Sequence, residues 1–393
     1  MGIKWGRGIV AGANTASAPA HIKRILLISL LRLPIIAMGQ IPPDDCADPD
    51  SQASTPSRAF MPIDDGSVVR HRPTGLEWQR CAIGQQWHDG ACLGEAERLS
   101  WEAAGEVAQA KGDGWRLPLP WELQSIVEYC RVGPAINRQV FPDQPLAPAN
   151  VWSGMPYAGA AGYAWSVRFS TGEGSWGLKH RGSRVRLVRD SQAERQRQSL
   201  IQTWKATAQT PPGQLLSATL QWKLPNELLT ARNALERIAQ VGFASACFHE
   251  DTPRRTPSSA FDISDDGKTV LHRPSSLEWQ RCPLGQNWAG DNCEGEAKRV
   301  DWQSAQEIAE QQAHGWRLPT IGELVTIAET CRSGPAINQQ IFPGITEGRS
   351  AFWSVTPYAG SDTYAWDADF ADGSFGWTRR TIPLGIRLVR AQP

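Results

Sequence analysis

The chain has no surplus charge of either sign. Lys and Arg total 40, Asp and Glu total 40, and the formal net charge is zero. No whole-molecule field therefore steers it toward nucleic acid or an acidic substrate. After the N-terminal region, no stretch approaches the ~18 apolar residues that a membrane span needs. There is no Gly-x-Ser-x-Gly elbow, no His-Glu-x-x-His and no phosphate-cradling glycine loop, so the common hydrolase, zinc-protease and nucleotide signatures are missing. Tyr is scarce at 5 and Phe modest at 10, whereas Trp reaches 18. Trp joins a large apolar face to one N–H donor, and so serves as core filler or as a stacking platform.

Acids are also missing from the start. None precedes Asp44, while Lys4, Arg7, Lys23 and Arg24 are basic. An apolar run from Ile25 to Leu31 resumes from Leu33 to Ala37, and Ala37-Met38-Gly39 offers small residues before Gln40. That is the layout of a secretory signal over 1–39. The long basic region and the interrupting Arg32 depart from it; a start codon placed too early, or a buried or anchoring helix, are the alternatives. Export predicts a periplasmic or extracellular protein with no transmembrane span after signal removal.

What dominates the sequence is internal repetition. Cys46, Cys81, Cys92 and Cys130 recur as Cys247, Cys282, Cys293 and Cys331, each shifted by 201. Seven Trp pairs keep that shift, from 78/279 to 176/377. So do Leu-Glu-Trp-Gln-Arg-Cys (76–81, 277–282), Gly-Trp-Arg-Leu-Pro (114–118, 315–319), Gly-Pro-Ala-Ile-Asn (133–137, 334–338) and Arg-Leu-Val-Arg (186–189, 387–390). Chance does not produce this; the gene was duplicated. The expected domains are 40–190 and 247–393, joined over 191–246 by a partly helical spacer with Pro211-Pro212 and an Asn226-capped apolar periodicity.

Within a repeat, Phe60 to Trp78 predicts a hairpin turning at Asp64-Asp65-Gly66. Ser100 and Asp301 can cap helices running to about Lys111 and Gln312. A second helix is expected after Trp-Arg-Leu-Pro, ending near Cys130 or Cys331. Thr320 and Glu323 form its capping box in repeat 2, while Leu119 replaces the Thr in repeat 1. Strands are expected at Tyr163–Phe169 and Arg184–Arg189, with their counterparts. The fold class expected is α+β, two helices per domain with short antiparallel strands.

Four Cys per repeat in an exported chain are most simply two disulfides, with three connectivities possible. Closing the short Cys81–Cys92 loop is favoured and leaves Cys46–Cys130; the same pairing in repeat 2 gives Cys282–Cys293 and Cys247–Cys331. Zinc ribbons want Cys two to four residues apart, and no such pair exists. No cofactor, metal or catalytic residue is assigned. His71 and His272 alone recur among the histidines and fit a structural role.

The motifs carry a resemblance. Asp-Asp-Gly, Leu-Glu-Trp-Gln-Arg-Cys, Gly-Trp-Arg-Leu-Pro-Thr, Phe-Trp-Ser-(x)2-Pro-Tyr-Ala-Gly and Tyr-Ala-Trp, closing on Arg-Leu-Val-Arg, resemble the Lcl C-terminal domain family, named after a bacterial collagen-like adhesin. Both repeats are covered; repeat 1 departs at Leu119-Pro120-Trp121. The resemblance implies a C-type-lectin-like fold, shared more distantly with the formylglycine-generating enzymes, in secreted or envelope proteins. It raises binding, including of sulfated polysaccharide, above catalysis.

Candidate ligand residues follow from the second half of each repeat. Trp152 with Tyr157, and Trp353 with Tyr358, offer sugar-stacking faces or core. Trp165 and Trp366 share a strand face with Phe169 and Phe370 and are expected in the core. Arg168, Lys179, Arg181 and Arg184 form a basic group suited to an anionic glycan, or a solvated strand edge. Repeat 2 carries Asp367 and Asp369 instead, expected by strand alternation to face solvent; with Asp362 and Asp372 they could hold Ca²⁺. Arg116 and Arg317 are expected to pair with Glu122 and Glu323 in a buried corner. The expected function is an exported binding protein engaging a polysaccharide or envelope component, with a partner-recognising assembly factor as the alternative and an enzyme less favoured.

Overall fold

The computed structural model describes residues 53–143, 150–191, 255–345, 348 and 350–392. The signal over 1–39, Cys46, Cys247 and nearly all of the expected spacer lie outside these residues.

Repeat 1 opens with an antiparallel meander, β1 (Phe60–Ile63), β2 (Val68–His71) and β3 (Leu76–Gln79). The turn between β1 and β2 lies where Asp64-Asp65-Gly66 predicts it. Asp64 and Gly66 take the positive φ values of 55° and 88°, a conformation Gly adopts at no steric cost. A short hairpin, β4 (Gln86–His88) and β5 (Ala91–Leu93), follows. Next come α1 (Trp101–Lys111) and α2 (Pro120–Gln124). A second meander of β6 (Asn150–Pro156), β7 (Tyr163–Arg168) and β8 (Glu173–Leu178) precedes β9 (Val188–Asp190), which returns to pair with β3.

Repeat 2 runs through β10 (Phe261–Ile263), β11 (Thr269–His272), β12 (Leu277–Gln280), β13 (Asn287–Trp288), β14 (Cys293–Glu294) and β15 (Arg299–Val300). It continues with α3 (Trp302–Glu310), α4 (Ile321–Leu324), β16 (Ala351–Pro357), β17 (Tyr364–Asp369), β18 (Ser374–Arg379), β19 (Leu384–Gly385) and β20 (Val389–Ala391). Each repeat keeps its own four-stranded sheet, β1-β2-β3-β9 or β10-β11-β12-β20. The second meanders merge into one eight-stranded sheet, ordered β15-β19-β16-β17-β18-β8-β7-β6.

The α+β expectation holds only in part, because the molecule is mostly sheet with few, short helices. The helix at Trp101 has the expected bounds, and Ser100 Oγ accepts from Ala103 N at 3.2 Å. The second helix is much shorter than expected. Ser125 Oγ donates to Glu122 O at 2.7 Å, and Ser125 N turns to the same carbonyl at 3.1 Å. Thr326 Oγ1 does likewise to Glu323 O at 2.6 Å. A hydroxyl that occupies a helix carbonyl competes with the next backbone turn, so the helix tightens and stops. The strand expected over 184–189 is confined to its last residues, with Arg184 reduced to an isolated bridge to Val151.

Cys81 joins Cys92 and Cys282 joins Cys293, each closing an 11-residue separation. Cys130 and Cys331 are also disulfide-bonded. The arm before β1 is further tied down by a buried carboxylate that no sequence motif marks. Glu128 accepts from Ser54 N, Thr55 N and Thr55 Oγ1 at 2.9–3.0 Å; Glu329 does the same for Arg255 and Thr256. Asn137, from the Gly-Pro-Ala-Ile-Asn motif, donates to Thr55 O at 3.0 Å and accepts from Gln139 N at 2.9 Å. That motif is a structural clamp.

Candidate functional site

The candidate stacking aromatics of the two second meanders divide by depth. Trp152 and Trp353 are 1 % and 0 % exposed. Their indole N–H groups donate to Leu99 O and Val300 O, both at 2.9 Å. Trp152 packs under α1 with Ala104 and Ala108, and Trp353 under α3 with Ala305 and Ala309. Neither offers a ring face to a ligand; both belong to the core. Tyr157 and Tyr358 are half-buried. Tyr157 stacks on Trp176 at 4.3 Å and 4°, and Tyr358 on Trp377 at 4.8 Å and 23°, so one face of each is already covered by a neighbour. Burial raises the pKa of both phenols. Trp165 and Trp366 are core, each 1 % exposed, as expected.

The acidic pair departs from its expectation. Asp367 is 9 % exposed, not solvent-facing, and its Oδ1 has no hydrogen-bond partner among the described residues. Burial, opposed by a hydrogen bond from Thr378 and reinforced by Asp369, pushes its pKa up to about 7. Alternation fails here because β17 is an interior strand of a sheet covered on both faces. Trp353 lies directly across from Asp367 on the same face. Asp369 and Asp372 accept from the backbone of Ala371 and Ser374 in the following turn. Among the described residues no three His, Cys, Asp or Glu are grouped to hold a metal ion.

Charge gathers on repeat 1. Leu99 and Ser183 exchange two backbone hydrogen bonds, Leu99 N to Ser183 O at 2.9 Å and the reverse at 3.0 Å. That bridge lays the 181–183 loop over Arg98, whose Cβ would be only 3.1 Å from a Cβ on Gly182. Arg98 thereby joins Arg181 and Arg184, although 83 positions separate it from Arg181 in the sequence. Lys179 Nζ stands 4.5 Å over the half-buried Trp101 ring. Burial, followed by the charges of Arg98 and Arg186 and opposed by Asp143, lowers the pKa of Arg184. Among the described residues Asp143 favours the charged form of Arg184, and no carboxylate forms a salt bridge with Arg98, Lys179 or Arg181. Arg168, expected with this group, lies at the opposite end of the β7–β8 hairpin and bonds Glu173 at 3.2 Å and Asn150 at 3.3 Å. At the equivalent places repeat 2 has Arg299 and Arg380 but Ile382 and Gly385. The basic patch is therefore a property of one copy.

The paired Arg–Glu corners are present. Arg116 reaches Glu122 with two bonds of 2.6 and 2.7 Å, and Arg317 reaches Glu323 with 2.7 and 2.6 Å. They are less buried than expected, the arginine side chains being 36 % and 45 % exposed. Glu122 and Glu323 also accept from Leu119 N and Thr320 N; only Thr320 returns a side-chain bond, at 3.2 Å. His71 and His272 are buried, bonded to Thr74 and Ser275 at 2.9 and 2.7 Å. Burial lowers both to a pKa of about 4.

The molecule is a tandem pair of disulfide-clipped, sheet-rich repeat domains. The family model described as the Lcl C-terminal domain matches residues 67–189 and again 268–390. These matches span more than half of the chain, and the chain belongs to that family. No curated protein matches it. Among the described residues no helix is long and apolar enough to cross a membrane.

Proposed function

We propose that the protein is an exported, non-enzymatic binding protein whose repeat 1 captures an anionic polysaccharide or a similarly charged envelope component. The observation that carries this reading is the collection of Arg98, Lys179, Arg181 and Arg184 beside Trp101. Among the described residues Asp143 offsets only part of this charge, through Arg184; the cations repel one another, and a sulfate or carboxylate group relieves that repulsion through charge-assisted hydrogen bonds. Trp101 supplies a flat apolar neighbour for a sugar ring. Disulfides persist in oxidising compartments, which supports a periplasmic or extracellular location. Membership of the Lcl C-terminal domain family supports a C-type-lectin-like reading of each repeat.

Retention on immobilised heparin tests the site. The double variant R181A/R184A should elute at clearly lower salt than the parent, because each cation removed from beside a sulfate group weakens a salt-screened attraction. The pair R379A/R380A in repeat 2 should elute close to the parent. Equal elution of R181A/R184A and the parent would remove the assignment.

A further inference from the structure

The repeats meet through residues that are each other's counterparts. β8 and β18 pair antiparallel with Gly174 opposite Phe375, two positions that are themselves 201 apart. A pairing of equivalent positions places a local two-fold axis at that pair. Around it, some contacts are reciprocal. Trp165 of repeat 1 lies against Gly373, 3.6 Å from the place of a Cβ there, and donates to Thr330 O at 3.0 Å. Trp366 of repeat 2 lies against Gly172 at 3.2 Å on the same measure and meets the Tyr129 ring edge-on at 5.2 Å.

Other contacts are not reciprocal, and these distinguish the two copies. The Phe375 ring, 3 % exposed, occupies the space that a side chain at position 174 would fill. Arg255 Nη1 donates to Gln124 Oε1 at 3.0 Å and stands 5.8 Å over Trp121. The reverse positions hold Ser54, Val325 and Gly322, which can make neither contact. Tyr129, against Trp366, corresponds to Thr330, whose carbonyl receives Trp165.

We infer that the paired face is a protein–protein surface that selects the unlike copy, with Gly174 and Phe375 as its main specificity determinants. Two copies of repeat 2 would bring two Phe rings to a slot that holds one, and would set the Arg255 guanidinium against Val325. Two copies of repeat 1 would leave a void the size of a ring on the axis, and interiors do not tolerate such voids cheaply. Duplication thus produced a like-with-like interface, and divergence made it obligately unlike. The partner this surface fits is a second copy of the domain that bears an aromatic at the axis where the first bears glycine.

The full chain allows a direct test, because single changes recreate each like pair. Phe375→Gly puts two glycines on the axis, and Gly174→Phe puts two phenylalanines there. Each should lower the thermal midpoint by on the order of 10 °C. The exchange variant G174F/F375G moves the ring to the opposite strand, and near the two-fold axis it should recover more than half of the loss. A midpoint for the exchange variant at or below the sum of the two losses would overturn the inference. Should Gly174→Phe fail to fold, a smaller cycle decides. Gly174→Ala should lower the midpoint when Phe375 is present and leave it unchanged in an F375A background; an equal drop in both backgrounds refutes the proposal.

Discussion

A carboxyl group held in an interior strand makes the pH dependence of stability a sensitive probe of this fold. Asp367 is 9 % exposed and its pKa is pushed from an ordinary 3.8 to about 7, chiefly by burial. Each tenfold change in acidity corresponds to about 1.4 kcal/mol. Ionised Asp367 therefore costs the folded state on the order of 4 kcal/mol above neutral pH, a figure that local relaxation reduces. The sign follows from proton counting. Between pH 4 and 7 the folded state keeps a proton that the unfolded chain has lost, so this group lowers stability as pH rises through that window. Below pH 4 both states are protonated and the contribution disappears; above pH 7 the penalty is constant. Asp367→Asn retains the shape without the charge, and Asp367→Ser installs the residue that repeat 1 carries at Ser166. Urea unfolding at several pH values from 4 to 8 should show each variant gaining stability over the parent by about 2–3 kcal/mol at pH 8 and by little at pH 4. A variant-minus-parent difference that is flat across this range would show that Asp367 ionises normally, and the burial argument would be wrong.

The buried histidines should act in the opposite direction: with pKa values near 4 in the fold, they bind protons less readily than in the unfolded chain. Their contribution therefore weakens stability as pH falls from about 6.5 to 4, and replacing both by Gln should flatten that limb of the unfolding profile. Asp143 pairs with the fully buried Arg186, and Asp143→Asn should cost about 3–5 kcal/mol in denaturant unfolding, because it strands a buried charge. Its repeat 2 counterpart is Gly344, and Arg387 there rests on backbone carbonyls and the Phe342 and Phe352 rings; Arg387→Met should consequently change stability far less than Asp143→Asn. Arg317→Met should cost only about 1 kcal/mol, since that side chain is 45 % exposed and Glu323 keeps its backbone partner; a loss above about 3 kcal/mol would restore the buried-corner reading. Opening Cys282–Cys293 by changing both to Ser should cost ~3 kcal/mol on the chain-entropy account, read as a lower denaturation midpoint.

Local chemistry was largely legible in the chain itself. The duplication, the Asp64-Asp65-Gly66 turn, the Ser100 and Asp301 caps and the short disulfide loops each depend on neighbours in sequence, so periodicity and spacing reveal them. The Arg116–Glu122 and Arg317–Glu323 pairs were legible for the same reason, being six residues apart. The ligand-facing surface was less legible. Trp152 and Trp353 have the composition of a sugar platform, yet their exposure depends on whether α1 and α3 cover that face of the sheet. Arg98 joins the basic patch only through the Leu99–Ser183 bridge, and no local pattern marks it.

The sequence alone determined that there are two copies of one crosslinked domain and where their turns and first helices begin, because those features are satisfied within a few residues. Only the tertiary structure decided that the copies fuse into one eight-stranded sheet, that Gly174 receives Phe375, and that Asp367 is enclosed while Arg181 is not. Strand alternation specifies which side of a strand a residue takes. What packs against that side is set by elements far away in the chain.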